Sequence, residues 1–279
     1  MRESSGRTRR GILVGAGAAV TASLAGCSGL PFGDDEATVT GEQLSGVIEE
    51  SPPSIPDRLP VGTGKSYLDG VASELDSALA SVPTETTVER FDVADYDAVA
   101  ATFEAIAERY GSPTVLVNNA GTVADGLLVR MTPEQWQRVV DVNLTGTFHC
   151  TREAARQMLR RDDGGGRIVN ISSSVVTMGV PGFLHYVASK GAVLAMTRAM
   201  ATEIGDLGIR VNAVMPGFTW SEASQQAGEE YLEEYVAKQD LQRVVEPEDI
   251  AGVVAFLAGP DSGIMTGQAI SADPGLSYY

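Results

Sequence analysis

The most regular part of the chain begins near residue 86. From there, short runs of apolar and β-branched residues alternate with longer stretches whose apolar positions recur every three or four residues. The short runs predict strands at Thr87–Phe91, Thr114–Asn118, Arg167–Ile171, Arg210–Val214 and Ala269–Ala272. The longer ones predict helices at Asp97–Tyr110, Pro133–Arg160, Tyr186–Ile204 and Pro247–Leu257. Thr132, Pro133 and Gln135 mark the start of the second helix, as N-cap, N1 and N3. Strand–helix alternation with strands apolar on both faces predicts an α/β fold built on a parallel, doubly wound sheet. Ligands of such sheets sit beyond the carboxyl ends of the strands, so the residues that follow each strand carry the interest.

The chain ahead of residue 86 follows another pattern. In residues 1–27, Thr8-Arg9-Arg10 precedes an uncharged run, Gly11 to Gly26, that ends in Leu24-Ala25-Gly26-Cys27. This order resembles a twin-arginine lipoprotein signal with a lipid anchor at Cys27. At 16 residues the run is short for a membrane span, which needs about 20. Used, the signal implies a membrane-anchored, extracytoplasmic protein; unused, a cytoplasmic one. Gly15-Ala16-Gly17 within it lacks the third glycine of a dinucleotide loop, and no strand is expected before it. Residues 28–85 form an atypical segment. Prolines 52, 53, 56 and 60 interrupt it, Gly62-Thr63-Gly64-Lys65-Ser66 is an incomplete phosphate loop, and Leu68, Val71, Leu75 and Leu79 mark an amphipathic helix. Residues 86–279 form the core.

Composition narrows the functions. Asp and Glu outnumber Lys and Arg by 37 to 20, giving a net charge of −17, which argues against a nucleic-acid surface. The only lysines are Lys65, Lys190 and Lys238, and an acidic, lysine-poor chain suits high salt, where self-repulsion is screened. Two cysteines and two histidines, His149 and His185, are too few for a disulfide framework or a metal cluster, and Cys150 lies in an apolar stretch as a core filler.

The candidate chemistry follows the strands. Asn118-Asn119-Ala120-Gly121, Ser172-Ser173-Ser174 and Pro216-Gly217 each follow an apolar run and open onto one crevice. Tyr186 and Lys190, four apart, share one helix face. A phenol titrates near pH ~10, too high for proton exchange at neutrality, and a neighbouring ammonium lowers it. Asn143 shares the stripe of Trp136, Val139 and Val140, so a buried amide there needs partners.

Asn119-Ala120-Gly121, Asn143, the serines at 172–174, Tyr186-xxx-Lys190 and Pro216-Gly217 stand in the order and spacing of the short-chain dehydrogenase/reductase family. The chain resembles its 3-oxoacyl-acyl-carrier-protein reductase members over residues 86–276. The resemblance implies a Rossmann-like fold and hydride transfer between NADP or NAD and a small carbonyl or alcohol substrate. It implies Tyr186 as the acid/base, Lys190 on the nicotinamide ribose, and Ser173, thirteen residues ahead of Tyr186, on the substrate oxygen. Asn143 would hold a relay water. Asp92 and Val93 would meet the adenine, Asn119, Ala120 and Gly121 the adenosine side, and Pro216, Gly217, Thr219 and Ser221 the nicotinamide. It further implies a homo-oligomer packed through the Tyr186 helix, whose Ala188, Ala192, Ala195 and Ala199 permit close approach. Residues 218–245 correspond to a lid without a fixed code.

Two departures stand out. The glycine-rich loop of the family's first βαβ unit has its nearest match at Val39-Thr40-Gly41, with Ser45 and Val47 in the later glycine positions, so that unit is incomplete or atypical. Asp273-Pro274-Gly275 stands where the family has Asp-Gly-Gly. The alternative reading is a lipid-anchored chimera that keeps the sheet, binds no cofactor and serves as a pseudoenzyme or interaction module.

Overall fold

The computed structural model describes residues 12–14 as backbone and residues 89, 91–124, 126–162, 164–220, 224 and 228–278 in full. The rest of the signal-like segment with Cys27, the whole of segment 28–85, and Ser221 lie outside the described residues.

Among the described residues, five strands form one parallel sheet and lie side by side in chain order: β1 (Ile12–Val14), β2 (Val115–Asn118), β3 (Gly166–Ile171), β4 (Ile209–Pro216) and β5 (Ala269–Ala272). The α/β, Rossmann-like expectation holds. One premise is corrected: a strand does precede Gly15-Ala16-Gly17, since Ile12 stands opposite Val115 and Val14 opposite Val117. Its three residues, Ile12, Leu13 and Val14, are apolar and two of them β-branched, which suits a short strand. The strand predicted at Thr87–Phe91 lies largely outside the described residues, and Glu89 and Phe91 are not in a strand.

Side chains alternate across the sheet, and both faces are apolar. Leu116, Ile168, Ile209 and Val211 point to one face, where they pack with Val99 and Phe103 of α1 (Tyr96–Tyr110) and Cys150, Ala154 and Met158 of α3 (Gly146–Met158). Val169 and Val214 point to the other, against Leu257 and the apolar stripe of α7 (Pro247–Ala258). Helix α1 starts where Asp95 accepts from the Ala98 amide at 3.1 Å. Cys150 sits in the core as expected, and burial pushes its thiol up to about 12, so it is inert packing.

The stretch predicted as one helix, Pro133–Arg160, is two. Helix α2 (Pro133–Val140) starts with the expected capping box, Thr132 and Gln135 bonding reciprocally. It passes into a π-turn at Asp141–Thr145 before α3 begins. Trp136 is not on a buried stripe but exposed, whereas Val139 and Asn143 are buried. The extra residue of the π-turn breaks the period and keeps Asn143 facing inward. The segment from Phe218 to Val245 also holds an unpredicted helix, α6 (Glu229–Ala237). Its four glutamates mask the helical period, which Tyr231, Leu232, Tyr235 and Val236 carry.

A buried polar ladder ties the sheet to two helices. Asn118 Nδ2 donates to Thr151 of α3 at 2.9 Å and to Asn170 Oδ1 at 2.8 Å. Asn170 Nδ2 donates at 2.9 Å to Thr197 of α5 (Leu184–Ile204). Asn118 and Asn170 stand opposite one another at the carboxyl ends of β2 and β3. Asn170→Ala removes two of these bonds in a dry interior, and we expect a loss of about 2 kcal/mol, read as a lower urea midpoint at unchanged slope.

Candidate active site

The strand ends set the site. The chain leaves β3 as Ser172-Ser173-Ser174. The Ser172 amide donates to the Val214 carbonyl at 2.8 Å and the Ser174 amide to the Pro216 carbonyl at 2.9 Å, so the sheet pattern runs past the strand and holds the serines at its rim. The Ser172 hydroxyl turns back and donates to the Lys190 carbonyl at 2.8 Å, fixing α5 against this rim. A short helix, α4 (Val175–Met178), then leads toward α5.

Tyr186 and Lys190 lie one turn apart on α5 and both face a cleft of about 940 Å³. The Ser173 hydroxyl faces the same cleft beside Tyr186 and favours the ionised form of its phenol. The Lys190 ammonium donates to the Ile171 carbonyl at 2.8 Å and sits 5.8 Å from the centre of the Tyr186 ring. The expectation that the lysine holds the phenol below its usual range is corrected. Burial dominates and raises the Tyr186 pKa, with the Ser173 hydroxyl opposing it. The same burial brings Lys190 down to about 8. Neutral Tyr186 beside protonated Lys190 is therefore the state at neutral pH. It suits Tyr186 to donate a proton to a carbonyl oxygen, with Ser173 placed for a second hydrogen bond to that oxygen.

Asn143 lies behind this pair and is fully buried. Its Oδ1 accepts from the Thr122 amide at 2.6 Å, and its Nδ2 donates to the Thr122 carbonyl at 2.8 Å and to Ser189 at 3.0 Å. It thereby clasps the chain leaving β2 to the catalytic helix. Gly121 fits between them: a Cβ there would stand 3.2 Å from Lys190 Nζ and 3.3 Å from Asn143 Oδ1. Thr122, Ser189 and the Ile171 carbonyl are site residues that spacing alone does not reveal, because each acts through a backbone group or a bond to another side chain.

Of the residues expected at a cofactor, Asn119, Gly121, Tyr186, Lys190, Pro216, Gly217 and Thr219 line the one cleft. Ala120 packs against the core, and Val93 is buried there. Asp92 is exposed, and its Oδ1 accepts from the Ala94 amide at 2.9 Å. None of these three lines the cleft. Asp273, ahead of Pro274, accepts from the amides of Gly275, Leu276 and Ser277, so the turn closes despite the proline. Gly217 faces its Oδ2, only 2.6 Å from where a Cβ would stand. Among the described residues no cluster of metal ligands occurs, and no helix is long and apolar enough to cross a membrane.

Comparison with known proteins agrees with this geometry. Residues 66–277 match the family model described as enoyl-(acyl carrier protein) reductase. The 3-oxoacyl-acyl-carrier-protein reductase FabG of Staphylococcus aureus is 42% identical over 185 residues, covering 66% of this chain and 74% of that protein. The reductase of the same description from Thermotoga maritima is 38% identical over 212 residues, covering 76% and 84%. Among solved structures, a putative gluconate dehydrogenase from Agrobacterium tumefaciens superposes with a TM-score of 0.69 at 31% identity, covering 77% of this chain and 83% of that one. The chain is thus an oxidoreductase of the nicotinamide-dependent type acting on small molecules, and it belongs to the short-chain dehydrogenase/reductase family.

Proposed function

We propose that the chain reduces a ketone, a 3-oxoacyl group or a related small carbonyl, with NADPH as the preferred cofactor. The observation that carries this reading is that the Ser173 and Tyr186 hydroxyls share one cleft with Lys190 at the open ends of parallel strands. The names of the relatives differ in the bond reduced, enoyl or 3-oxoacyl. A phenol and a serine hydroxyl in one cleft favour the carbonyl, whose oxygen gathers the charge and takes the proton.

The cleft fits a flat dinucleotide. Asn119, Gly121 and Gly217 leave its floor open to the backbone, and among the described residues Lys190 is the cation near the serines. When bound, the nicotinamide supplies a hydride to the carbonyl carbon. Tyr186 gives its proton to the oxygen, Ser173 orients that oxygen, and Lys190 holds positive charge behind the phenol while offering donors to ribose hydroxyls. Asn143 positions the lysine side of the site through Thr122 and Ser189 and supplies a place for a relay water. On this reading the exposed Asp92 meets the adenine, while Val93 and Ala120, packed into the core, back that side of the site. Gly15-Ala16-Gly17 follows β1 directly and takes over from Val39-Thr40-Gly41 as the better candidate for the pyrophosphate contact.

Titration of the full chain with NADPH and NADH by nucleotide fluorescence tests the reading. We expect saturation below about 100 μM with NADPH, inside the usual range for enzyme ligands. Absence of binding by either cofactor at millimolar concentration rejects it in favour of the non-binding chimera. Cleavage ahead of Cys27 would remove Ile12–Val14 and with it β1. A lipid-anchored product and a five-stranded enzyme are therefore alternative fates of one sequence, and intact-mass measurement after expression in the cell separates them. A homo-oligomer packed through α5, whose Ala188, Ala195 and Ala199 are exposed, is part of the same reading.

A further inference from the structure

The substrate end of the cleft is walled by rings. Phe218, which follows β4, has its ring centre 5.4 Å from that of Tyr231 and 5.0 Å from that of Tyr235, both on α6. The two tyrosine rings are 6.2 Å apart. All three residues line the cleft. Phe183, which also lines the cleft, packs edge-on against the Tyr186 ring, with centres 6.3 Å apart.

This wall is held in place. The Tyr235 ring rests 5.0 Å from that of Phe218, and its phenol is directed toward the Ser174 hydroxyl and the Phe218 backbone. One side chain on α6 thus meets the segments that follow β3 and β4, beside Ser173. Burial, with Asp273 nearby, pushes Tyr235 up to about 12, so it stays a neutral pin at any working pH. The far end of the lid is also tied down, since the amides of Asp240 and Leu241 donate to the Gly275 and Pro274 carbonyls. The charge pattern matters as much as the rings. Among the described residues lining the cleft, only Lys190 and Arg167 are charged. Lys190 sits at the Ile171 carbonyl, and Arg167 is four residues earlier on β3, about 13 Å down the strand. Among the described residues, no cation lines the cleft beside Phe218, Tyr231 and Tyr235 to hold a carboxylate or phosphate.

We propose that Phe218, Tyr231 and Tyr235 form a fixed aromatic wall that selects neutral ketones carrying an aryl or other flat ring beside the reacting carbonyl, with Tyr235 as the residue that positions it. The proposal rests on the ketone-reductase reading above and names its substrate class. The physical basis is that a flat ring gains edge and face contacts with preplaced rings, whereas an open chain must lose rotor freedom to lie along them. An anionic substrate would lose its hydration without gaining a partner.

The test uses the full chain with saturating NADPH and three ketones: ethyl benzoylacetate, ethyl 3-oxohexanoate and the acetoacetate anion. We expect kcat/KM for the aryl ester to exceed that for the open-chain ester by about tenfold, and acetoacetate to be the poorest of the three. In F218A and Y231A the aryl-to-alkyl ratio falls toward one. In Y235F, which keeps the ring and loses the pin, KM for the aryl ester rises more than kcat falls. Because the ratio is taken within each preparation, partial loss of folded protein does not imitate the result. An open-chain ester used as well as or better than the aryl one overturns the wall and leaves the reductase reading standing. Wild-type protein that binds NADPH but reduces none of the three overturns both.

Discussion

Tyr186→Phe lowers the rate of carbonyl reduction by a factor of a hundred to ten thousand, the usual weight of a positioned general acid. The phenylalanine ring keeps the edge contact with Phe183 and fills the same space, so the cleft and the sheet are undisturbed. What disappears is the phenol that shares the cleft with Ser173 and Lys190. Ser173 remains, but its proton is far too weakly acidic to replace a phenol. Single-turnover reduction under excess NADPH reads the effect on the chemical step, and unchanged cofactor affinity shows that the site still forms. Activity within threefold of wild type would remove Tyr186 from its role. The direction of the Tyr186 shift adds a second expectation. Because burial keeps the phenol protonated, alcohol oxidation, which needs a proton acceptor, rises with pH across the range in which reduction is flat.

Lys190→Met gives the second large change, a fall of about tenfold to a hundredfold in reduction, roughly the loss of one well-placed charge interaction in a desolvated site. The sign with pH follows from the lysine. Its pKa of about 8 leaves it protonated below that value and neutral above. Wild-type reduction is therefore expected to hold steady below pH 8 and to decline as the pH rises through it. In Lys190→Met that decline vanishes, since the titrating group is gone. The variant also removes a buried charge whose partner is a neutral carbonyl, so its thermal midpoint is expected to stay level or rise. Lower activity with a preserved midpoint separates loss of chemistry from loss of fold. A wild-type profile without a break between pH 7 and 9 would show that Lys190 is not the group being read.

Much of this was legible in the residues. The alternation of apolar runs placed β2, β3, β4 and β5 within two residues of their ends, because strands buried on both faces leave uninterrupted apolar signals. Tyr186, Lys190 and Ser173 were legible because helix and strand periods are local: four residues on α5 are one turn wherever the helix lies. The residues misread were those whose surroundings are made by distant parts of the chain. Trp136 has the spacing of a core residue and is exposed, because no element covers that side of α2 among the described residues. Ile12–Val14 was hidden in a run whose composition is that of a signal, and only the edge of β2 turns it into a strand. The lid helix was hidden by its glutamates.

By itself the sequence settled the class of fold, the family and the order of the reacting groups along the chain, all of which depend on short-range periods and on residue types at fixed intervals. The tertiary structure decided the state and company of those groups. Burial, not the lysine, sets the direction of the Tyr186 shift, Asn143 works through Thr122 and Ser189, and Tyr235 joins Phe218 and Tyr231 in a cluster of rings at the cleft. The reason is that desolvation and hydrogen bonding depend on which atoms meet across β2, β3, β4, α5 and α6, and residues as far apart as Ser174 and Tyr235 meet only after the chain has folded.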